Sequence, residues 1–156
     1  MENRSFMQQA INLAFEKMND YEGGPFGALI VKGGEVVGRG WNRVTSTNDP
    51  TAHAEITAIR DACKNIGNFS LEGCALYVNC EPCPMCLAAA YWAGIKTIYY
   101  AATRKDAAAI GFADDHIYDE FSRPVNQRAI PMVQMMRDEN IPVFNAWDKL
   151  EGKINY

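Results

Sequence analysis

The feature that most constrains this chain is a pair of short motifs that must meet in space. They are His53-Ala54-Glu55 and, well downstream, Pro82-Cys83-Pro84-Met85-Cys86. The imidazole of His53 and the thiols of Cys83 and Cys86 can hold a zinc ion and leave its fourth position open for water. The carboxylate of Glu55, beside the imidazole, can move a proton of that water. The fold must therefore bring two distant segments to one ion.

Both motifs are predicted to open helices. Asp49-Pro50-Thr51 is typical of a helix start, with Asp49 or Thr51 as the cap. Pro82 and Pro84 likewise predict a helix from about 82 to Gly94, with both thiols of the motif in its first turn. Helix N-termini carry partial positive charge, which favours thiolate over thiol. The expected metal centre therefore lies where two helix N-termini meet.

The periodicity of the rest of the chain alternates between helix and strand. Apolar residues predict a first helix over about 6–18 and a second containing Ile56, Ile59, Cys63 and Ile66. Strands are predicted at Ala28–Lys32, Val36–Trp41, Ala75–Asn79, Thr97–Ala101 and Met132–Met136, and helices at 104–110, at 114–121 and near the C-terminus. Gly33-Gly34 predicts a two-residue hairpin turn. The expected fold is a three-layer α/β/α structure with a central mixed five-stranded sheet.

Composition fits a single enzyme-sized domain spanning residues 1–156. Hydrophobic residues make up 48% of the 156, near the globular average. No apolar run approaches the roughly 20 residues that a membrane helix needs, so no membrane partner is expected. The five cysteines, three of them crowded at 80, 83 and 86, favour a metal site in a reducing compartment. The expected location is cytoplasmic.

Net charge bears on the class of substrate. The formal charge is −4, and small basic clusters such as Arg104-Lys105 have acidic neighbours. Nucleic-acid binding relies on clustered Lys and Arg to neutralise phosphates. The composition therefore disfavours a nucleic-acid partner and favours a small, uncharged substrate.

A purely structural zinc site is the plainest alternative for these motifs. Zinc ribbons need a second closely spaced ligand pair, which the separated Cys63 and Cys74 do not form. Cys63 falls on the apolar stripe of the second helix, so it is interpreted as a small core residue. Cys80 is near enough to compete as a ligand, and that alternative stays open. His116 lies in an acidic polar run and is interpreted as a surface residue.

The chain resembles the cytidine-deaminase-like superfamily of zinc deaminases and, within it, the small bacterial guanine deaminases. The metal motifs are common to the superfamily. The resemblance to the guanine branch rests on outlying segments, namely Gly24-Pro25-Phe26-Gly27-Ala28, the region of Asn42, Asn48-Asp49-Pro50-Thr51-Ala52, Tyr91-Trp92-Ala93, Gly111-Phe112 with Asp114, and a chain ending in Tyr156.

That resemblance implies a role for each matching residue. His53, Cys83 and Cys86 bind one zinc ion per subunit, and Glu55 is the proton shuttle. The backbone N–H of Ala54 bonds the substrate, while Phe26 and Trp92 form apolar walls against a flat base. Asn42 offers a donor and an acceptor to the O6/N7 edge of a purine, and Asp114 accepts from the 2-amino side. The implied reaction converts guanine to xanthine and ammonia, in purine catabolism or salvage.

The resemblance also implies a homodimer. In this family the C-terminal segment, about 130–156 here, is exchanged between subunits and closes the partner's pocket. Tyr156 is then a lid residue. Three alternatives stay open from the sequence: a cytosine deaminase with a smaller pocket, a tRNA adenosine deaminase, and a non-catalytic zinc-binding module.

Overall fold

The structure is a computed structural model that describes residues 2–156, with the side chain of Glu2 left out. The chain divides into two compact units, the first ending at Asp114 and the second running over Asp115–Tyr156. The first unit consists of α1 (Glu2–Asn19), β1 (Gly27–Lys32), β2 (Glu35–Trp41), α2 (Val44–Thr47), α3 (Ala54–Ile66), β3 (Cys74–Cys80), α4 (Pro84–Trp92), β4 (Thr97–Ala102) and α5 (Arg104–Ala109). It contains every residue of the two metal motifs.

The four strands form one mixed sheet in the order β2-β1-β3-β4. β1 is antiparallel to both β2 and β3, whereas β3 and β4 run parallel. The predicted mixed sheet is confirmed, but the prediction of five strands is wrong. The fifth, expected at Met132–Met136, has no regular secondary structure. The apolar pattern of that segment was correct, but a strand also needs a backbone partner, which local periodicity does not reveal.

The hairpin between β1 and β2 forms as predicted. Gly33 and Gly34 both have positive φ, 57° and 84° respectively. A two-residue turn of this type needs positive φ at both positions, which glycine adopts without steric cost. The turn pairs Lys32 with Glu35, and a register shift between Ile30 and Val31 moves the pairing by one residue, so that Gly27 pairs with Trp41 at the far end of the hairpin. That end of the sheet is where the first metal motif begins.

Helices cover both faces of the sheet in the first unit. Leu29, Val31 and Tyr77 pack with Phe6 and Ala10 of α1 on one face. On the other face, α3 contributes to a cluster with alternate residues of the same strands, namely Ala28, Ile30, Leu76 and Val78. The alternation follows from the period of two along a strand. The predicted layering is therefore present in this unit.

Small residues let α3 lie close to β2. A Cβ at Gly38 would come within 2.6 Å of the Ala58 carbonyl oxygen. A Cβ at Gly40 would overlap the Ala54 carbonyl oxygen. The buried residues of α3 are Ala54, Glu55, Ala58 and Ala62, whereas the predicted isoleucine stripe is only half-buried. The close approach fixes the N-terminus of α3, and with it His53, against the sheet.

Both motif helices begin later than predicted. His53 is the residue that precedes α3, and Asp49 accepts bonds from the N–H and hydroxyl of Thr51 instead of capping the helix. Such a local turn competes with a helix cap for the same carboxylate. Similarly, Cys83 immediately precedes α4, so only Cys86 lies within its first turn. The helix stops at Trp92, just before the expected end at Gly94.

The second unit contains α6 (Asp115–Ser122), a 3-10 turn (Val125–Gln127) and α7 (Arg137–Asp148). The predicted C-terminal helix is confirmed as α7, although Pro142 lies inside it. None of the residues in 115–156 is buried. Over residues 2–156, no helix has both the length and the apolar character needed to cross a membrane.

Candidate active site

The candidate metal ligands stand at the N-termini of two helices. His53 and Cys83 each precede their helix with an extended backbone, at ψ 159° and 167°, and neither side chain caps the helix. Cys86 lies one turn into α4 and is buried. The side chains of His53 and Cys83 are therefore free to turn toward a shared point. The partial positive charge of the helix N-termini there favours thiolate ligands.

The spacing of the ligand atoms fits a tetrahedral zinc ion. The Nδ1 atom of His53 is 3.6 Å from the Sγ of Cys83 and 3.6 Å from the Sγ of Cys86. All three atoms lie within 4.8 Å of one another. Usual Zn–S and Zn–N lengths at a tetrahedral angle separate N from S by about 3.6 Å. These residues therefore fit zinc, as the sequence predicted.

The three ligands differ in how readily they give up the protons that compete with a metal cation. A hydrogen bond from the Cys86 thiol, helped by His53, lowers the pKa of Cys83 to about 4. The bond with Cys83 raises the pKa of His53. The pKa of Cys86 is raised because its thiol donates to Cys83 and is buried. Since ligands must deprotonate to bind, metal affinity at this site should fall as pH falls.

Glu55 lies in the first turn of α3, beside the ligand group. The residue is only 6% exposed. Burial raises the pKa of its carboxyl, because the charged form loses water. A buried carboxyl next to a metal centre is suited to accepting and returning a proton.

Cys80 lies outside the ligand group. Within residues 2–156, His53, Cys83 and Cys86 are the residues whose ligand atoms cluster here. Burial raises the pKa of the Cys80 thiol to about 11, and its Sγ is 3.7 Å from the carbonyl oxygen of Thr103. The charge of Asp114 contributes to this shift, which places that carboxylate near Cys80.

The side chain of Asn42 is partly committed to the backbone. It is 6% exposed, and its Oδ1 accepts from the N–H groups of Gly24 at 3.1 Å and Val44 at 3.2 Å. These bonds set the orientation of the amide and leave Nδ2 as the group that can meet a ligand. The sequence predicted a donor and an acceptor here, whereas the structure leaves the donor.

Phe26 and Ala54 also lie in the first unit. The half-buried ring of Phe26 meets Phe112 edge to face, with centroids 4.9 Å apart. Sequence reasoning did not assign Phe112 a role, although it falls in one of the segments that carry the resemblance. Ala54 is the first residue of α3, so its N–H has no intrahelical acceptor and can bond a ligand.

Trp92 and Tyr156 lie differently from the other predicted residues. Trp92 is the last residue of α4 and is 76% exposed. At the rise of an α-helix, it stands about 9 Å along the axis from Cys86. Tyr156 is 86% exposed and belongs to the second unit. Both side chains are therefore exposed, and neither belongs to the core of its own unit.

Comparison with known proteins agrees with this site. Residues 1–102 match the profile of the cytidine and deoxycytidylate deaminase zinc-binding region. The chain is 49% identical over 156 residues to guanine deaminase of Bacillus subtilis, covering 100% of both chains. A crystal structure of guanine deaminase from Bacillus subtilis superposes with a TM-score of 0.95 at 50% identity, covering 98% of each chain.

A second group of relatives matches less of the chain. The tRNA-specific adenosine deaminase of Buchnera aphidicola is 46% identical over 82 residues, which are 53% of this chain and 54% of that protein. Both groups of relatives are deaminases, and the matching profile includes both metal motifs. This chain belongs to the cytidine and deoxycytidylate deaminase zinc-binding family.

Proposed function

We propose that this protein catalyses the zinc-dependent hydrolysis of guanine to xanthine and ammonia. The observation that supports guanine as the substrate is the full-length match to a guanine deaminase, at 49% identity over 100% of both chains. The tRNA-specific adenosine deaminases match at lower identity and over less of this chain, 46% over 53% in one case and 38% over 76% in another. The metal motifs alone are common to both relatives, so the rest of the chain favours guanine.

The reaction needs two proton transfers, and we assign both to Glu55. When zinc is bound by His53, Cys83 and Cys86, it supplies a Lewis acid that makes a nearby water more acidic. The carboxylate of Glu55 accepts a proton from the attacking water and gives it to the ring nitrogen next to C2 of guanine. It then takes the remaining proton from the new hydroxyl on C2 and passes it to the amine, so that a C2=O bond forms, the bond between C2 and the amine breaks, and ammonia leaves. Burial keeps bulk water from competing for these transfers.

The polar groups around this centre match the edges of guanine. With Oδ1 held by two backbone N–H groups, Asn42 donates through Nδ2 to the O6/N7 edge. Asp114 accepts from the 2-amino side, and the backbone N–H of Ala54 donates to the bound base. Phe26 and Trp92 provide apolar walls for the ring, with Trp92 exposed on α4. Each assignment carries over a role that the family resemblance implies.

The second unit favours a homodimer with exchanged C-terminal segments. Although no residue of 115–156 is buried, this unit has many exposed apolar side chains, including Val133, Phe144, Trp147 and Tyr156. Apolar surface on this scale is typical of a docking interface. In the proposed dimer the segment from about 130 to 156 lies on the partner subunit, and Tyr156 closes the partner's pocket.

We also place the protein in the cytoplasm. The five cysteines, all within the described part of the chain, are free thiols, and two of them are zinc ligands. A site built from reduced thiols persists in a reducing compartment.

The test is ammonia release by the zinc-loaded protein from guanine, cytosine, adenine, cytidine and a tRNA anticodon stem. We expect release from guanine, and a loss of about 10²–10⁴-fold in turnover in Glu55→Gln, with zinc retained. Ammonia release from cytosine or from the tRNA stem, with none from guanine, would overturn the assignment of guanine as the substrate. Bound zinc without ammonia release from any compound would indicate a module that only binds.

A further inference from the structure

A polar side chain interrupts the apolar strand that leads to the second metal motif. Asn79 is the penultimate residue of β3, next to Cys80. Its amide makes two hydrogen bonds to the same loop: Oδ1 accepts from the N–H of Gly27 at 2.9 Å, and Nδ2 donates to the carbonyl of Pro25 at 2.9 Å. The two bonds fall on either side of Phe26 in the chain.

These two bonds complete the hydrogen bonding of the backbone around Phe26. The N–H of Phe26 donates to the Gly24 carbonyl at 2.8 Å, and its own carbonyl accepts from the N–H of Asn42 at 3.0 Å. The peptide groups before and after Phe26 therefore have all four polar atoms bonded. Asn79 satisfies two of the four. Because both flanking peptide planes are held, the direction of the Phe26 side chain is held too.

The sheet cannot supply these bonds through its backbone. The ladder between β1 and β3 ends at the pair Ala28–Val78, so the next position would set Gly27 opposite Asn79. There the amide side chain takes over as the partner of the Gly27 N–H. The loop also abuts α1, since a Cβ at Gly27 would come 2.5 Å from the Ala10 carbonyl oxygen. Both the amide of Asn79 and α1 thus constrain the loop.

We infer that Asn79 is a positioning residue, which fixes Phe26 as a wall of the substrate pocket through two hydrogen bonds to the loop backbone. The inference rests on the proposed function, in which Phe26 packs against the base. Phe112 supports the ring from the side, but only Asn79 holds the peptide groups from β3. Without the amide, the Phe26 ring samples several directions, and the substrate binds to the fraction that is correctly oriented.

The test compares Asn79→Leu, which preserves side-chain size, with Asn65→Leu as a matched control. The Asn65→Leu variant also loses a side-chain hydrogen bond, from Nδ2 of Asn65 on α3 to the Val37 carbonyl at 2.9 Å. Asn65, however, lies outside the loop around Phe26. We expect Asn79→Leu to raise KM for guanine about tenfold, the size expected for losing two hydrogen bonds, with kcat changed less than about twofold. Zinc content should match wild type, because no metal ligand is touched.

A double-mutant cycle separates positioning from general stability. In a Phe26→Ala background, we expect Asn79→Leu to raise KM by less than about twofold, because the wall it orients is gone. An equal rise in both backgrounds would overturn the inference, as would a rise no larger than that of Asn65→Leu.

Hydrogen exchange tests the role of Asn79 independently of the proposed function. If the wild type releases no ammonia from guanine, the substrate proposal fails by itself. Exchange of the Gly27 amide then decides the role of Asn79, since that N–H donates to its Oδ1. Exchange that is faster in Asn79→Leu than in Asn65→Leu supports the inference, and equal rates overturn it.

Discussion

The two units of this chain treat their apolar side chains in opposite ways. The first buries Leu29, Ile30 and Leu76 completely between sheet and helices. The second exposes Phe144 and Trp147 on α7 and buries none of its residues. A helix gains most of its stability from packing an apolar face, which α7 does not do within its own unit. The metal centre therefore stands on a buried core, whereas the C-terminal unit leaves its apolar side chains exposed, as the proposed dimer requires.

The largest effect should come from the metal centre of the first unit. Cys86→Ala removes one of three ligands, so we expect loss of bound zinc and of ammonia release. In wild type, a chelator should lower the melting temperature, because the ion binds only the folded site, and this decrease should be absent in the variant. Zinc content and melting curves with and without chelator make the measurement.

Cys63→Ala is the matched control for that substitution. Cys63 is half-buried on α3, with its Sγ 3.7 Å from the Phe69 carbonyl oxygen, and lies outside the ligand group. The Cys63→Ala variant should retain zinc. Equal zinc loss in the two variants would contradict the assignment of ligands. Zinc affinity of the control should also decrease as pH falls, because the ligands must lose protons to bind.

The next effect should come from the close packing of α3 on β2. In Gly40→Ala the new methyl overlaps the Ala54 carbonyl, so α3 must shift. We expect the free energy of unfolding to fall by about 1–3 kcal/mol or more. Because Ala54 follows His53 directly, zinc affinity should fall as well. Urea unfolding and zinc titration make the measurement, and Glu35→Ala, exposed on the same strand, is the control. Equal stability of the two variants would show that this core tolerates movement of α3.

The metal centre could be predicted from sequence because its chemistry is local. Three ligands in two short motifs suffice to specify it, and the structure places the Nδ1 atom of His53 3.6 Å from the Sγ of each cysteine. The hairpin at Gly33-Gly34 was equally local, because glycine adopts both positive φ values without steric cost. The fifth strand failed for the opposite reason. Met132–Met136 has a suitable apolar pattern, but pairing depends on a distant partner that no local pattern names.

Hydrogen-bond partners inside the site were also beyond the sequence. The resemblance implied that Asn42 offers a ligand both a donor and an acceptor, but only the structure shows that Oδ1 accepts from the N–H groups of Gly24 and Val44. Asn79 went unassigned, although a lone amide at the end of an apolar strand indicated a specific partner. Side-chain bonds to backbone depend on loop geometry, which propensity does not encode.

A smaller effect is expected from the far end of the second unit. In the proposed dimer Tyr156 closes the partner's pocket, whereas its 86% exposure shows no part in the core of its own unit. Tyr156→Ala should therefore lower kcat/KM for guanine about tenfold while the melting temperature changes by less than about 2 °C. Steady-state kinetics and thermal unfolding make the measurement. Unchanged kinetics would remove the lid role and weaken the contrast between the units.

The smallest effect concerns α5, the last helix of the first unit. The hydroxyl of Thr103 accepts from the Asp106 N–H, and the Asp106 carboxylate accepts from the Thr103 N–H at 2.8 Å, which together form a capping box. The hydroxyl also donates to that carboxylate at 2.7 Å. Thr103→Ala should lower the free energy of unfolding by about 1 kcal/mol. The exposed Lys105→Ala, in the same helix, should change it by only a few tenths of a kcal/mol. Urea unfolding of both variants makes the measurement.

The pH dependence of the stability lost in Thr103→Ala tests the interaction between Thr103 and Asp106. Hydrogen bonds from Thr103 lower the pKa of Asp106 below its ordinary value of 3.8. A lowered folded-state pKa stabilises the protein above the ordinary value, and this contribution is lost as pH falls through the lowered one. The difference between wild type and Thr103→Ala should therefore be largest at neutral pH and shrink in acid. A difference that stays constant from pH 7 to pH 2 would show that the hydroxyl acts only through the Asp106 N–H.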